Sequence, residues 1–166
     1  MSLLSTFGAM LLAFTFLFAG IKKSIIFKEF QSTLELSFKV PRAFSKFAAF
    51  TIITCELSIL PTLLFPTKPL IIYQLISFIM LIFVFIPLYT LMTGKVIQCN
   101  CFGQSSVLDW QDLLRNTILF LASLLLCIAP PLQTFNLQIL TLFFLALTLV
   151  NLMINLKSIS TFLHSE

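Results

Sequence analysis

The sequence predicts an all-α fold: a polytopic membrane helix bundle of about five transmembrane helices, with one further amphipathic helix along the interface. Three observations lead there. Of the 166 residues, 59% are hydrophobic and only 10% are charged, and a soluble domain of this length needs a charged exterior that such a chain does not have. The mean hydropathy is +1.08, with apolar residues gathered into stretches of about 20, the length that a bilayer core of about 30 Å requires. These stretches are long and do not alternate, and backbone groups in lipid must be satisfied internally, so helices are favoured over a barrel. The chain reads as a single integral membrane domain over 1–166.

The first span runs from about Leu3 to Gly20. It has no basic start, and Ala19-Gly20 leads directly into Lys22 and Lys23, so a permanent helix is expected rather than a removable leader. From Ser24 to Lys39, Ile25, Ile26, Phe30, Leu34 and Phe38 recur at roughly helical spacing, while Lys28, Glu29, Gln31, Ser32, Glu35 and Lys39 fill the other face. That pattern predicts a helix lying in the interface, ended by Pro41. The second span, Phe44 to Phe65, is joined to the third, Leu70 to Met92, by the tight hairpin Pro66-Thr67-Lys68-Pro69. Pro61 and Pro87 are expected to kink these two spans and open space beneath the next loop.

A polar connection follows from about Thr93 to Asp112, with Gly94 and Gly103 as turn residues. Ser106 and Asp109 fit a Ser-x-x-Asp helix start, predicting a fourth helix from near Val107 whose apolar part runs from Leu113 to Ala129. Trp110 then falls at headgroup depth. Pro130-Pro131 precedes the fifth span, Leu137 to Leu156.

The reactive element is the string Cys99-Asn100-Cys101-Phe102-Gly103 in that polar connection. A disulfide closed across one residue makes a small strained ring, and strained bridges are more oxidising. Such a bridge suits electron exchange and is a poor staple, because a tiny loop removes little chain entropy. Phe102 and Gly103 supply a turn that exposes the sulfurs, while Lys95 and Arg115 flank the loop with charge that lowers a thiol pKa. Two alternatives stay open, an inert loop with ordinary cysteines and half of a soft-metal site. The metal reading has little behind it: four cysteines and one histidine, His164, with Cys55 and Cys127 inside spans as small hydrophobes.

Glu56 stands near the middle of the second span as the one charge placed clearly within a membrane segment, where a functional role is the default. Its options are to take a proton during thiol chemistry, to hold the polar head of a small redox carrier such as a quinone, or to hydrogen-bond a neighbouring helix. On the first turns of the fourth helix, Asp109 and Asp112 suit the N-terminus and Asp112 can pair with Arg115. With five spans, one side of the membrane holds Lys22, Lys23, Lys28, Lys39, Arg42, Lys46, Lys95, Arg115 and Lys157, and the other holds Lys68. The positive-inside rule turns the cysteine loop toward the cytoplasm.

The cysteine string, followed by Arg115-Asn116 at the opening of an apolar helix, resembles the MauE family of methylamine utilisation membrane proteins, grouped with DoxX-like proteins. Gly20-Ile21-Lys22 at the end of the first span and Glu56 in the second fit the same likeness, which is strongest over 1–130; Ile59 and Leu60 stand where the family often has a glycine. The resemblance implies a multi-pass protein of a bacterial plasma membrane, linked to thiol–disulfide exchange with a thioredoxin-like partner outside the cytoplasm and to maturation of a disulfide-rich protein. That role turns the cysteine loop outward, against the charge count. Nothing in the residues points to methylamine or to nucleic acid.

The functional expectation is therefore a membrane thiol–disulfide oxidoreductase using Cys99 and Cys101, with Glu56 beside them in the chemistry, Lys95, Phe102, Gly103, Arg115 and Asn116 in support, and membrane lipid, a thioredoxin-like protein and a quinone as companions. The alternative is a non-enzymatic assembly or immunity subunit in which the cysteines are dispensable. A solute transporter is disfavoured, since no broken-helix repeat accompanies the single buried charge.

Overall fold

A computed structural model describes residues 2–37, 39–64, 69–94, 98–99, 106–107, 109–129 and 137–163. Six helices are formed there: α1 (Ser2–Ile25), α2 (Phe27–Leu36), α3 (Arg42–Leu64), α4 (Pro69–Thr93), α5 (Trp110–Ile128) and α6 (Leu137–Leu163). Between α4 and α5, β1 (Gln98–Cys99) pairs antiparallel with β2 (Ser106–Val107), in the register Gln98 to Val107 and Cys99 to Ser106. α1, α3, α4 and α5 are each long and apolar enough to cross a membrane, and α6 adds the shorter apolar stretch Leu140–Asn155. The expected helical membrane bundle is present. The hairpin Pro66–Pro69 (apart from Pro69, which opens α4) and the pair Pro130–Pro131 lie outside the described residues.

The outside of the bundle is apolar in stripes. On α4, Ile71, Leu75, Phe78, Ile82, Phe85, Tyr89 and Met92 are all exposed, and on α5 so are Leu114, Ile118, Leu121, Leu125 and Ile128. Steps of three and four place each set on one helical face. Water does not tolerate a continuous surface of this kind, whereas lipid does. Polar hydroxyls turn inward or back on their own helix: Thr15 donates to Leu11 O at 2.8 Å and Ser123 to Phe120 O at 2.7 Å.

α1 is the central helix, packing against α2, α3, α5 and α6. In its most apolar stretch 61% of residues are buried, against 28–33% in α3, α4 and α5. A helix so enclosed is an integral part of the bundle. Its small residues permit this: a Cβ on Gly8 would stand 3.4 Å from Ala122 Cβ of α5, so the two backbones lie nearly in contact. Leu11, Leu12, Phe16, Tyr73, Ile76, Met80, Leu119 and Leu126 fill the core around that crossing.

Three boundaries differ from the sequence reading, each for a physical reason. α1 continues past Gly20 to Ile25, because Lys23 finds a partner inside the protein and need not end the helix in water. α2 is shorter than Ser24–Lys39, and its apolar residues Phe30 and Leu34 pack on Ala49 and Ile53 of α3 rather than into lipid. Its end is set by Lys39, whose left-handed backbone (φ 54°) lets Val40 N donate to Leu34 O at 3.0 Å. α5 starts at Trp110 and not near Val107: Asp109 and Asp112 form the capping box, leaving Ser106 to the β-hairpin. Gly94 turns the chain at the end of α4 with φ 63°.

Pro87 removes one hydrogen bond from α4, freeing the carbonyl of Phe83 four residues earlier. Asn116 of α5 replaces it: Nδ2 donates to Phe83 O at 2.7 Å. Asn116→Ala should therefore destabilise the bundle by about 1–2 kcal/mol, and the loss should shrink when Pro87→Ala restores a backbone donor to that carbonyl. A double-mutant cycle of unfolding in mixed micelles measures the difference; additive effects would refute the assignment.

The polar face of α2 is fastened to α3 by a small network. Ser45 Oγ donates to Glu35 Oε1 at 2.6 Å, and Gln31 Nε2 donates to both Ser45 Oγ (2.9 Å) and Glu35 Oε1 (3.1 Å). The Ser45 bond holds the Glu35 carboxyl below its usual range, with Gln31 and the nearby Arg42 adding to it. A lowered folded-state pKa gives stability that is present above the ordinary carboxylate range of about 4 and lost as pH falls through the lowered value. Amide protection of α2 should hold at mildly acidic pH and fade on stronger acidification, and Ser45→Ala should move that fading to higher pH in a hydrogen-exchange titration.

Candidate functional site

Lys23 sits in the last turn of α1 and Glu56 two thirds of the way along α3. Lys23 Nζ donates to Glu56 Oε1 in a buried ion pair, with 3% of Lys23 and 4% of Glu56 exposed. The ammonium also lies over the Phe30 ring of α2, 5.1 Å from its centroid, a desolvated cation–π contact of roughly 2 kcal/mol. One charge thus joins three helices. Gly20 makes the approach possible: a Cβ there would be 2.9 Å from Leu57 Cδ2 and 3.5 Å from Glu56 Cβ. Glu56 Oε2 is buried and makes no hydrogen bond.

Glu56 is therefore not the lone charge inside the spans that the sequence reading makes it. Lys23 goes with it into the interior, and leaves the set of basic residues that bias orientation. The signal that finds this pair in the sequence is spacing: Gly20 followed three residues later by Lys23 places the glycine and the lysine on one face of a helix.

The described start of the connection that carries the cysteine string, at the C-terminal end of α4, is at the same end of the bundle. α2 has 10 residues and a length of about 15 Å, too short to cross, so α1, α3, α4 and α5 alternate in direction. The C-terminal ends of α1 and α4 then share one side with the N-terminal ends of α3 and α5. The β1–β2 hairpin is on that side, with the Cys99 backbone paired to Ser106. The Cys99 side chain lies outside the described residues, as do Cys101, Phe102, Gly103 and Lys95.

Arg115 and Asn116 open α5 beneath the hairpin, but both are engaged elsewhere. Arg115 Nη2 meets Asp112 Oδ1 at 3.0 Å, with about a tenth of each side chain exposed (12% and 10%). Asp112 offsets part of the field of this guanidinium. Asn116 serves the α4 carbonyl described above. Cys55 and Cys127 are free; Cys55 is exposed on the outside of α3, and Cys127 Sγ lies 3.5 Å from Ser77 Oγ. Among the described residues, no group of three or more histidine, cysteine, aspartate or glutamate side chains comes together to hold a metal ion.

Removing either charge of the Lys23–Glu56 pair strands the other in a low-dielectric interior. Lys23→Met and Glu56→Leu should each destabilise by about 3–5 kcal/mol, whereas the double variant should recover most of that loss. Thermal unfolding of the purified protein in detergent, followed by circular dichroism, gives the comparison; a double variant as unstable as the sum of the two would count against a mutually compensated pair.

Residues 1–130 match the family described as methylamine utilisation protein MauE. No curated protein and no solved structure matches the chain.

Proposed function

The chain belongs to the MauE family, and from that premise we propose that this multi-pass membrane protein exchanges disulfides through Cys99 and Cys101 with a thioredoxin-like partner, in support of disulfide formation in another protein. The observation that carries the reading is the Cys-x-Cys string within the matched region, in the connection that closes one end of the bundle. The β1–β2 pairing, which ties the Gln98–Cys99 backbone to Ser106–Val107 across the connection, supports the reading.

The exchange with the partner balances between the two cysteine pairs alone. A thiolate of the partner attacks one sulfur of the Cys99–Cys101 bridge, a mixed disulfide forms, and the other sulfur leaves as a thiolate. The partner's second thiolate then resolves the mixed disulfide. The partner ends oxidised and Cys99 and Cys101 end as thiols. Closing the bridge again passes two electrons and two protons to an acceptor of another class, a quinone or a further disulfide. Methylamine utilisation, in the family's name, gives the setting in which a disulfide-rich protein would need such help.

The test uses the full chain in lipid nanodiscs. Thiol-reactive polymer should add to Cys99 and Cys101 only after reduction, and a reduced thioredoxin should open the bridge. Cys99→Ser and Cys101→Ser should each slow the exchange by roughly 100-fold or more, with one of them accumulating the mixed disulfide. Absence of a bridge under every oxidising condition, or serine variants that still support the cell, would overturn the reading in favour of an assembly or immunity subunit.

A further inference from the structure

α6 packs along α1 and touches α5. Ala146 and Val150 are buried on that side, and Leu149 lies against the core. The apolar stretch Leu140–Asn155 is about 24 Å long, most of a bilayer core of about 30 Å. The other side of the helix therefore meets hydrocarbon.

That other side is the one that carries the polar groups. The non-apolar residues of the stretch are Thr141, Thr148, Asn151 and Asn155, and all four are exposed. Steps of seven, three and four residues, at about 100° per residue, confine them to a stripe about 80° wide, centred opposite Ala146. Polar side chains in a span ordinarily turn into the bundle; on α6 the inward side is apolar and the amides face out.

The chain satisfies these amides only in part. Asn155 Nδ2 donates to Asn151 O at 2.9 Å and approaches Asn151 Oδ1 at 3.4 Å. Among the described residues, Asn151 Nδ2 and Asn155 Oδ1 have no hydrogen-bond partner, and lipid tails supply none. Thr148 is different, since its hydroxyl is spent on Leu145 O at 2.9 Å.

A carboxamide carries both a donor and an acceptor, so its electrostatic complement is a copy of itself turned about a two-fold axis. Copies of one membrane protein are inserted the same way round, which makes two α6 helices related by such an axis parallel. Asn151 then meets Asn151, and Asn155 meets Asn155, at equal depth. The spacing agrees with this. Thr141, Thr148 and Asn155 recur every seven residues, and Phe144 and Asn151 follow the first two by three. That is the a and d pattern of a parallel two-stranded seam, in which a buried asparagine fixes register and favours the dimer. The stripe also lies beyond the matched residues 1–130, so it is independent of the cysteine chemistry.

We propose that α6 is a self-association helix: two copies of this chain join as a parallel homodimer through the Thr148, Asn151 and Asn155 stripe. Each asparagine hydrogen-bonds to its counterpart in the second copy.

The experiment uses the full chain in phosphatidylcholine bilayers and has two arms. In the first, chains carrying a donor or an acceptor dye at the α-amino terminus are mixed, and energy transfer is followed as lipid is added. Wild-type chains should form a dimer that dilution in lipid dissociates. Asn151→Leu and Asn155→Leu should each raise its dissociation constant by roughly tenfold, and the double variant should raise it further. Leu145→Ala, beside the stripe, should leave it nearly unchanged. Asn→Leu on an exposed face removes no core contact, so the circular dichroism of the variants should match wild type. In the second arm, the four native cysteines are replaced by serine and one new cysteine is oxidised in the membrane. Thr148→Cys should give a covalent dimer, and Leu145→Cys and Leu147→Cys, exposed on either flank of the stripe, should give far less.

A double asparagine variant that associates as tightly as wild type, or cross-linking as efficient at 145 and 147 as at 148, would overturn the proposal. Wild-type chains that stay monomeric at every lipid ratio would overturn it too, and would give the stripe to a helix of a different membrane protein.

Discussion

A lysine or a glutamate facing hydrocarbon alone costs several kcal/mol, and the junction of α1, α2 and α3 is arranged so that neither does. Lys23 brings its charge to Glu56 across the α1–α3 contact, and Phe30 of α2 covers the ammonium. The arrangement has consequences beyond the pair. α1 can continue as helix through Lys22 and Lys23, α3 must come close enough to touch Gly20, and α2 must fold back onto α3 so that Phe30 reaches the charge. A single neutralisation therefore fixes the relative position of three elements.

The same rule decides smaller features elsewhere. In a medium without water, a backbone group left open by proline has to be met by protein. Asn116 meets the carbonyl freed by Pro87, which ties α4 to α5 at the depth where a kink would otherwise expose it. Asp112 has two tasks, accepting from the Asp109 N–H at 3.1 Å and neutralising Arg115 at 3.0 Å. A guanidinium can thereby lie at the start of a span without a solvent shell. The apolar stripes on α4 and α5 complete the logic, since they face a solvent that asks for no hydrogen bonds.

Much of this is written along the chain. Residues that recur every three or four positions mark the outer faces of α4 and α5 and the inner face of α2, and composition alone requires a membrane. What local patterns miss are partners distant in sequence. Lys23 looks like the basic stop of a first span until Glu56, 33 residues away, is brought to it. Nothing in the local sequence around Asn116 points to Phe83 O, 33 residues earlier, as its hydrogen-bond partner. Two helix starts were written in one segment, Ser106-x-x-Asp109 and Asp109-x-x-Asp112. The second is used because Ser106 is held in a strand pair, a competition that local sequence does not rank. Of the cysteine string, residue type and spacing are what the proposed exchange rests on.

Orientation illustrates how the interior changes a surface argument. The basic residues that turn the cysteine loop toward the cytoplasm include Lys23 and Arg115, and both are paired with carboxylates, Lys23 fully buried and Arg115 largely so. Lys28 on α2, Lys39 in the connection after it, and Arg42 and Lys46 on the first turns of α3 are exposed, as are Phe44, Phe47 and Phe50. Basic side chains interleaved with aromatic rings are what a helix needs to sit at lipid headgroups, on either leaflet. Their number then measures anchoring as much as topology, and the opposition between the charge bias and the outward role implied by the family weakens accordingly. The C-terminal end of α1, which carries Lys23, and the β1–β2 hairpin share one end of the bundle by helix alternation, so both face the same compartment whichever way the chain is inserted.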